Sequence, residues 1–271
     1  MSEWFSGEVV VKGIKIHYHR TGGDKPPVVL AHGITDNGLC WTRLARALEG
    51  AYDLIMYDAR GHGLSDAPET GYTPEDHVAD LAGLVDALGL EKPALIGHSM
   101  GAANVALTVA THPDLARCAA LEDPPWRNAP DTEAHAAMID VWRASIIDRK
   151  SWTRERLIAE AHASNPTWAD ADLGPWADAQ LQVDPAVFSW GDARSRRVSW
   201  QDLVHKFTCP VLLITGDPEL GAIVSAEIVQ EAAGLCDTLE VAHIPGAGHC
   251  IRREQFELYV EAVRAFLTCN L

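Results

Sequence analysis

Short, uninterrupted apolar runs alternate along this chain with segments whose apolar residues recur every three or four positions. The runs Val28-Val29-Leu30-Ala31, Leu54-Ile55-Met56-Tyr57, Ala94-Leu95-Ile96, Ala119-Ala120-Leu121 and Val211-Leu212-Leu213-Ile214 carry no charge. Such runs suit strands buried on both faces of a parallel sheet. A further run, Leu239-Glu240-Val241-Ala242-His243-Ile244, is interrupted by polar residues. Between the runs lie helical patterns at residues 77–88, with Val78, Leu81, Leu84, Val85 and Leu88 on one face, and at 224–235 and 256–267. Residues 8–19 read as a hairpin, with Val9 and Val11 facing Ile14, Ile16 and Tyr18 across a turn at Gly13. A hairpin followed by alternating strands and helices predicts a doubly wound α/β sheet.

Residues 124–206 break the alternation. They offer no buried-strand run, and their pattern is helical and irregular. Pro124-Pro125 opens the segment and Cys209-Pro210 follows it, so it reads as a helical insertion into a sheet domain formed by residues 1–123 and 207–271. Seven of the nine tryptophans fall here: Trp126, Trp142, Trp152, Trp168, Trp176, Trp190 and Trp200. Most are expected to pack the insertion's own small core, and a few to line an apolar cleft against the sheet. Trp126 and Trp142 are taken as the substrate-facing pair. The chain has no internal repeat and no low-complexity stretch.

Composition removes several function classes. The 271 residues are 47% hydrophobic and 22% charged, as in an ordinary globular protein. A formal charge of −16 opposes binding to phosphate backbones or anionic lipid, so no nucleic-acid or membrane partner is expected. Cys40, Cys118, Cys209, Cys236, Cys250 and Cys269 form no close pair, which argues against a metal or redox motif and for thiols in a reducing, cytoplasmic setting. No signal-peptide pattern is read in the first residues, and no stretch reaches the ~18 apolar residues of a membrane span.

The chemistry gathers at the ends of the apolar runs. Gly97-His98-Ser99-Met100-Gly101 follows one run and opens a helical pattern. This is G-x-S-x-G in a strand, turn, helix setting, where the sharp turn exposes the serine oxygen and only small residues fit two positions either side. Ser99 is therefore the candidate nucleophile. His32-Gly33-Ile34 follows the first run, and the backbone N–H groups of Ile34 and Met100 are placed to receive an oxyanion. His32 itself reads as a structural histidine. Gly246-Ala247-Gly248-His249 lies between the last run and the last helix, so His249 can reach Ser99 as general base. His98 adjoins the nucleophile, but the turn should aim it elsewhere. His77, His112, His135, His162 and His205 fall in helical or cap segments. Three carboxylates compete to orient His249: Asp217 and Glu219 after the run ending at Ile214, and Asp123 after Leu121-Glu122. Asp217 is favoured because it lies nearest the strand end on a short side chain, and Pro218 restricts its backbone.

Taken together, the chain resembles the α/β-hydrolase superfamily over essentially its whole length. The resemblance rests on the hairpin start, His32-Gly33, Asp58-Ala59-Arg60-Gly61-His62-Gly63-Leu64-Ser65, the Ser99 turn, and Gly246 to His249. It implies an eight-stranded, mostly parallel sheet, a helical lid after the sixth strand, and no cofactor. It also implies an acid three residues after Gly216, at Glu219, although two extra residues before Ile223-Val224 shift that loop. Dehalogenases and epoxide hydrolases of this fold carry aspartate at the nucleophile; Ser99 points to acyl chemistry. His17-Tyr18-His19 lacks the rest of the HxHxDH pattern of metal-dependent lactonases and reads as solvent-edge residues. The expectation is a metal-free serine esterase or lactonase, similar to small carboxylesterases and acyl-homoserine-lactone lactonases, acting as monomer or homodimer on a small ester or lactone with a hydrophobic portion. Thioester or C–C bond hydrolysis, cofactor-free peroxidation, or ligand sensing are the alternatives.

Overall fold

The computed structural model describes residues 4–127, 132–191 and 199–271; the side chains of His135 and Trp190 lie outside the described residues. Eight strands form one sheet: β1 (Phe5–Val11), β2 (Ile14–Arg20), β3 (Pro27–Ala31), β4 (Asp53–Tyr57), β5 (Ala94–His98), β6 (Cys118–Glu122), β7 (Val211–Thr215) and β8 (Leu239–His243). Their order is β1-β2-β4-β3-β5-β6-β7-β8. β1 and β2 are antiparallel to each other, β2 is antiparallel to β4, and the remaining pairs are parallel. Lys12 and Gly13, at φ 49° and 86°, close the hairpin with the two left-handed residues that a tight turn between twisted strands requires.

Among the described residues ten α-helices accompany the sheet: α1 (Thr42–Leu48), α2 (Pro74–Ala87), α3 (Met100–Thr111), α4 (Thr132–Arg149), α5 (Arg154–Ser164), α6 (Asp170–Gln182), α7 (Trp200–Val204), α8 (Ala226–Leu235), α9 (Ile251–Glu254) and α10 (Phe256–Asn270). The apolar runs are continuous because alternate residues feed two cores. Val29, Ile55, Leu95 and Leu213 pack under α2, α3 and α8, while Val28, Leu54, Ile96 and Ile214 pack under α1 and α10. The helix read at residues 77–88 starts earlier, at Pro74. There Thr73 accepts from the Asp76 N–H and Asp76 accepts from the Thr73 N–H, a reciprocal cap.

Helices α4 to α7 all fall between β6 and β7. Leu157, Ala161, Leu173, Trp176 and Ala177 form a small core there, with Trp152 and Trp168 packed against it. The two ends of the segment behave differently. Trp126 stacks on Trp200 with ring centroids 5.3 Å apart, and both belong to the main core of the sheet. Among the described residues, no helix is long and apolar enough to cross a membrane.

Candidate active site

Ser99 sits between β5 and α3 at φ 51° and ψ −116°, a conformation that L-residues rarely hold without support from their surroundings. The support is steric. A Cβ on Gly97 would collide with the Gly101 carbonyl, and one on Gly101 would collide with the Ala31 carbonyl. Both positions therefore require glycine, and the turn can be no wider. Among the described residues neither Ile34 N–H nor Met100 N–H has a protein acceptor. The loop bearing Ile34 is held by two buried histidines. A ring nitrogen of His62 lies 2.7 Å from the Ile34 carbonyl oxygen. His32 accepts from the Ala59 N–H at 3.0 Å through Nε2, which leaves Nδ1 to donate to the Gly33 carbonyl at 2.8 Å. Burial, with neighbouring His62, lowers His32 to about 4, so this donor and acceptor pattern is that of a neutral ring.

His249 reaches the carboxyl edge of the sheet on its glycine loop, and its Nδ1 lies 2.6 Å from Asp123 Oδ2. This corrects the preference for Asp217. Asp123 follows β6 directly, is fully buried, and adopts φ 41°, a left-handed conformation that aspartate tolerates better than most residues. Its carboxylate also accepts the N–H groups of Ile223 at 2.8 Å and Val224 at 3.0 Å. The extra residues after β7 thus bring two backbone donors onto Asp123. Asp217 is turned to another task. Its N–H donates to the Ala247 carbonyl at 2.6 Å, and its carboxylate accepts from the Gly246 N–H at 2.7 Å and lies 3.0 Å from His243 Nε2. It fastens the start of the His249 loop instead of touching the ring. Glu219 is exposed.

Ser99, His249, Ile34 and Gly33 line a cavity of about 220 Å³ whose far wall comes from α4 to α6: Trp142, Ser145, Ile146, Arg149, Trp168 and Trp176. Trp142 therefore lies in the wall of the same cavity as Ser99. Trp126 is not in this wall, because its stacking on Trp200 holds it in the core. An open groove of about 770 Å³ lies elsewhere, between β1, α2 and α3, and holds none of these groups.

Arg149 is a charged cavity residue that the sequence reading missed. Its guanidinium donates to Gln180 Oε1 at 2.8 Å and lies 5.6 Å from the Trp176 ring, and among the described residues it pairs with no carboxylate. α4 has no strong apolar stripe, so nothing in its pattern marked which face would meet the cavity. Arg253, also in the wall, is neutralised by Asp36 at 2.9 Å. Asp36 in turn meets Arg252 at 2.7 Å, and Arg252 donates its backbone N–H to Glu122 at 3.0 Å. Burial works to raise Asp36, but the two arginines overcome it and hold the carboxyl below its ordinary range. These buried charges connect the Ile34 loop, the strand that bears Asp123 and the loop that bears His249. Cys250 borders the cavity, yet burial raises its thiol to about 11, so it is no nucleophile at neutral pH.

The His17-His19 reading also needs correction, since His17 is 5% exposed and lies inside the protein. His17, His19 and Asp58 place possible ligand atoms within 4.8 Å of one another. Asp58 is already engaged: it accepts from Gly38 N–H at 2.8 Å and Leu64 N–H at 3.0 Å, and its Oδ2 lies 2.8 Å from His17 Nδ1. We read it as a hub that shapes the loop after β4.

A family model described as the alpha/beta hydrolase fold matches residues 26–252. The chain is 32% identical over 256 residues to a 2-(acetamidomethylene)succinate hydrolase of Mesorhizobium japonicum, covering 92% of this chain and 90% of that one. It is 29% identical over 265 residues to an N-formylmaleamate deformylase of Pseudomonas putida, covering 96% of each. The crystal structure of an E-2-(acetamidomethylene)succinate hydrolase superposes with a TM-score of 0.83 at 28% identity, over 98% of this chain and all of that one. Sheet order, serine turn and full-length relatives agree: the chain is a hydrolase and belongs to the α/β-hydrolase fold family.

Proposed function

We propose that this protein hydrolyses the acyl group of a small, carboxylate-bearing amide or ester through an acyl-enzyme on Ser99. The observation that carries the reading is one cavity of about 220 Å³ lined together by Ser99, His249 and Arg149, which pairs with no carboxylate among the described residues. That volume is below the roughly 300–1,000 Å³ of pockets for drug-sized ligands, which favours a substrate of few heavy atoms. A guanidinium facing such a cavity is stabilised by a ligand carboxylate, which it can grip with two parallel hydrogen bonds. The names of both full-length relatives join an acyl group on nitrogen to a carboxylic acid skeleton, which supports an acyl–nitrogen bond ahead of the ester or lactone expected from sequence.

In this reading Ser99 Oγ attacks the acyl carbon while His249 Nε2 takes its proton. Asp123 holds the imidazolium through Nδ1, and the N–H groups of Ile34 and Met100 receive the oxyanion. Collapse of the tetrahedral intermediate breaks the bond to nitrogen or oxygen, and His249 returns the proton to that leaving group. Water then enters by the same steps and releases the acyl group as its acid. Helices α4 to α6 act as a lid that excludes bulk water and supplies the charge reader. Paired substrates test this: small N-acyl amino-dicarboxylates against their carboxamide analogues, and p-nitrophenyl acetate as a neutral ester. Higher kcat/KM on the carboxylates supports the reading. Equal rates on the charged and capped members of each pair contradict it.

A further inference from the structure

We propose that His98 is a positioning residue for His249, holding the main chain of the catalytic base from beneath while Asp123 holds its ring. The inference rests on the serine mechanism proposed above.

His98 ends β5, one residue before the nucleophile, and is 4% exposed. Its Nε2 lies 3.0 Å from the carbonyl oxygen of His249, a contact between positions 151 residues apart. Because a carbonyl can only accept, Nε2 must carry the proton. The two imidazole rings lie 4.8 Å apart at 42°. Burial, reinforced by the positive charge of Arg252, keeps His98 neutral. The remaining nitrogen, Nδ1, is therefore an acceptor, and it is buried with no hydrogen-bond partner among the described residues. It faces Gly33, where a Cβ would stand 2.8 Å from it, so the oxyanion loop closes over it.

An orphaned buried acceptor carries a desolvation cost that an apolar side chain would not. The histidine is thus a poor choice for stability and a good one for donating to a fixed carbonyl. Asp123 restrains only the Nδ1 end of the His249 ring. The loop is fastened through its amides, Gly246 N–H to Asp217 at 2.7 Å and the Gly248 and Cys250 N–H groups to Glu254 at 2.6 and 3.1 Å, none of which engages the His249 carbonyl. The His98 contact adds a tie from the His249 carbonyl directly to the strand that presents the serine, fixing the base relative to Ser99. Displacement of a catalytic group by about 1 Å can cost 10²-fold in rate.

The test compares the parent with His98→Leu, His98→Gln and Ser99→Ala on p-nitrophenyl acetate. His98→Leu is expected to lower kcat about 10- to 100-fold with KM within twofold, while still melting cooperatively. His98→Gln, whose amide nitrogen reaches the same carbonyl, should recover most of the rate. If His98→Leu does not fold, His98→Asn, whose amide is too short to reach, takes its place. A kcat within twofold of the parent, a loss confined to KM, or a Gln variant as slow as the Leu variant would overturn the inference. Parent-like turnover by Ser99→Ala would instead remove the serine mechanism, a failure separate from that of His98.

Discussion

Asp123 Oδ2 and His249 Nδ1 stand 2.6 Å apart although 126 positions separate them in the chain. β6 and β7 are adjacent parallel strands, so both deliver a carboxylate to the same edge of the sheet, Asp123 from one and Asp217 from the other. Asp123 takes the imidazole and Asp217 takes the backbone of its loop.

Asp123→Asn should lower kcat by roughly 10⁴ without unfolding the protein, because an amide at this position favours the wrong tautomer of His249. Asp217→Asn keeps a side-chain oxygen for the Gly246 N–H and should cost less than about tenfold. Steady-state kinetics on p-nitrophenyl acetate distinguish the two. A larger loss in Asp217→Asn would reverse the assignment.

Arg149→Leu should raise KM for carboxylate-bearing amides by about 30-fold or more, since losing one half of a partly desolvated charge pair costs roughly 2 kcal/mol. Hydrolysis of p-nitrophenyl acetate should change little. Equal losses on both substrates would take Arg149 out of charge recognition.

Gly101→Ala should destabilise the protein by several kcal/mol and abolish activity, because its methyl group meets the Ala31 carbonyl and the backbone cannot yield cheaply. Gly50 has open space around it, and Gly50→Ala should leave the melting temperature within a few degrees of the parent. Thermal melts of the two variants provide the check.

Acid sensitivity should appear well above the carboxylate range. Burial lowers His32 from 6.5 to about 4 and His77 from 6.5 to about 3. An unfolded chain protonates both near pH 6.5, whereas the folded chain resists until the lower values. Their neutral burial is therefore fully compatible with folding above about pH 6.5, and stability is lost as the pH falls toward the folded values, by about 1 kcal/mol per pH unit for each ring. The melting temperature should drop between pH 7.5 and 5.5, and His77→Leu should flatten the slope. A melting temperature equal at both pH values would contradict this.

The sheet was legible in the chain because a strand buried on both faces needs an unbroken apolar run, as at Val28 to Ala31 and Val211 to Ile214. Ser99 and His249 were legible because their turns demand glycine at fixed positions. The sequence reading named Asp123 among three carboxylates but favoured Asp217, wrongly, since the choice depends on how two neighbouring strand ends turn, and the Ile223 and Val224 N–H groups decide it from outside either motif. Arg149 was invisible because its place in the cavity wall depends on which side of α4 faces Ser99, a matter of tertiary docking. His17 seemed a surface residue by its place in the first hairpin. It is buried because the loop after β4 folds over it, with Ser65 Oγ 2.8 Å from its backbone nitrogen.

The covalent role of Ser99 is tested most directly by the turnover number of Ser99→Ala on p-nitrophenyl acetate, measured on protein shown to melt like the parent. Loss of a nucleophile that works with His249 and Asp123 should reduce kcat by roughly 10⁴–10⁶. Turnover within tenfold of the parent would mean that Ser99 is not the group that carries the acyl intermediate.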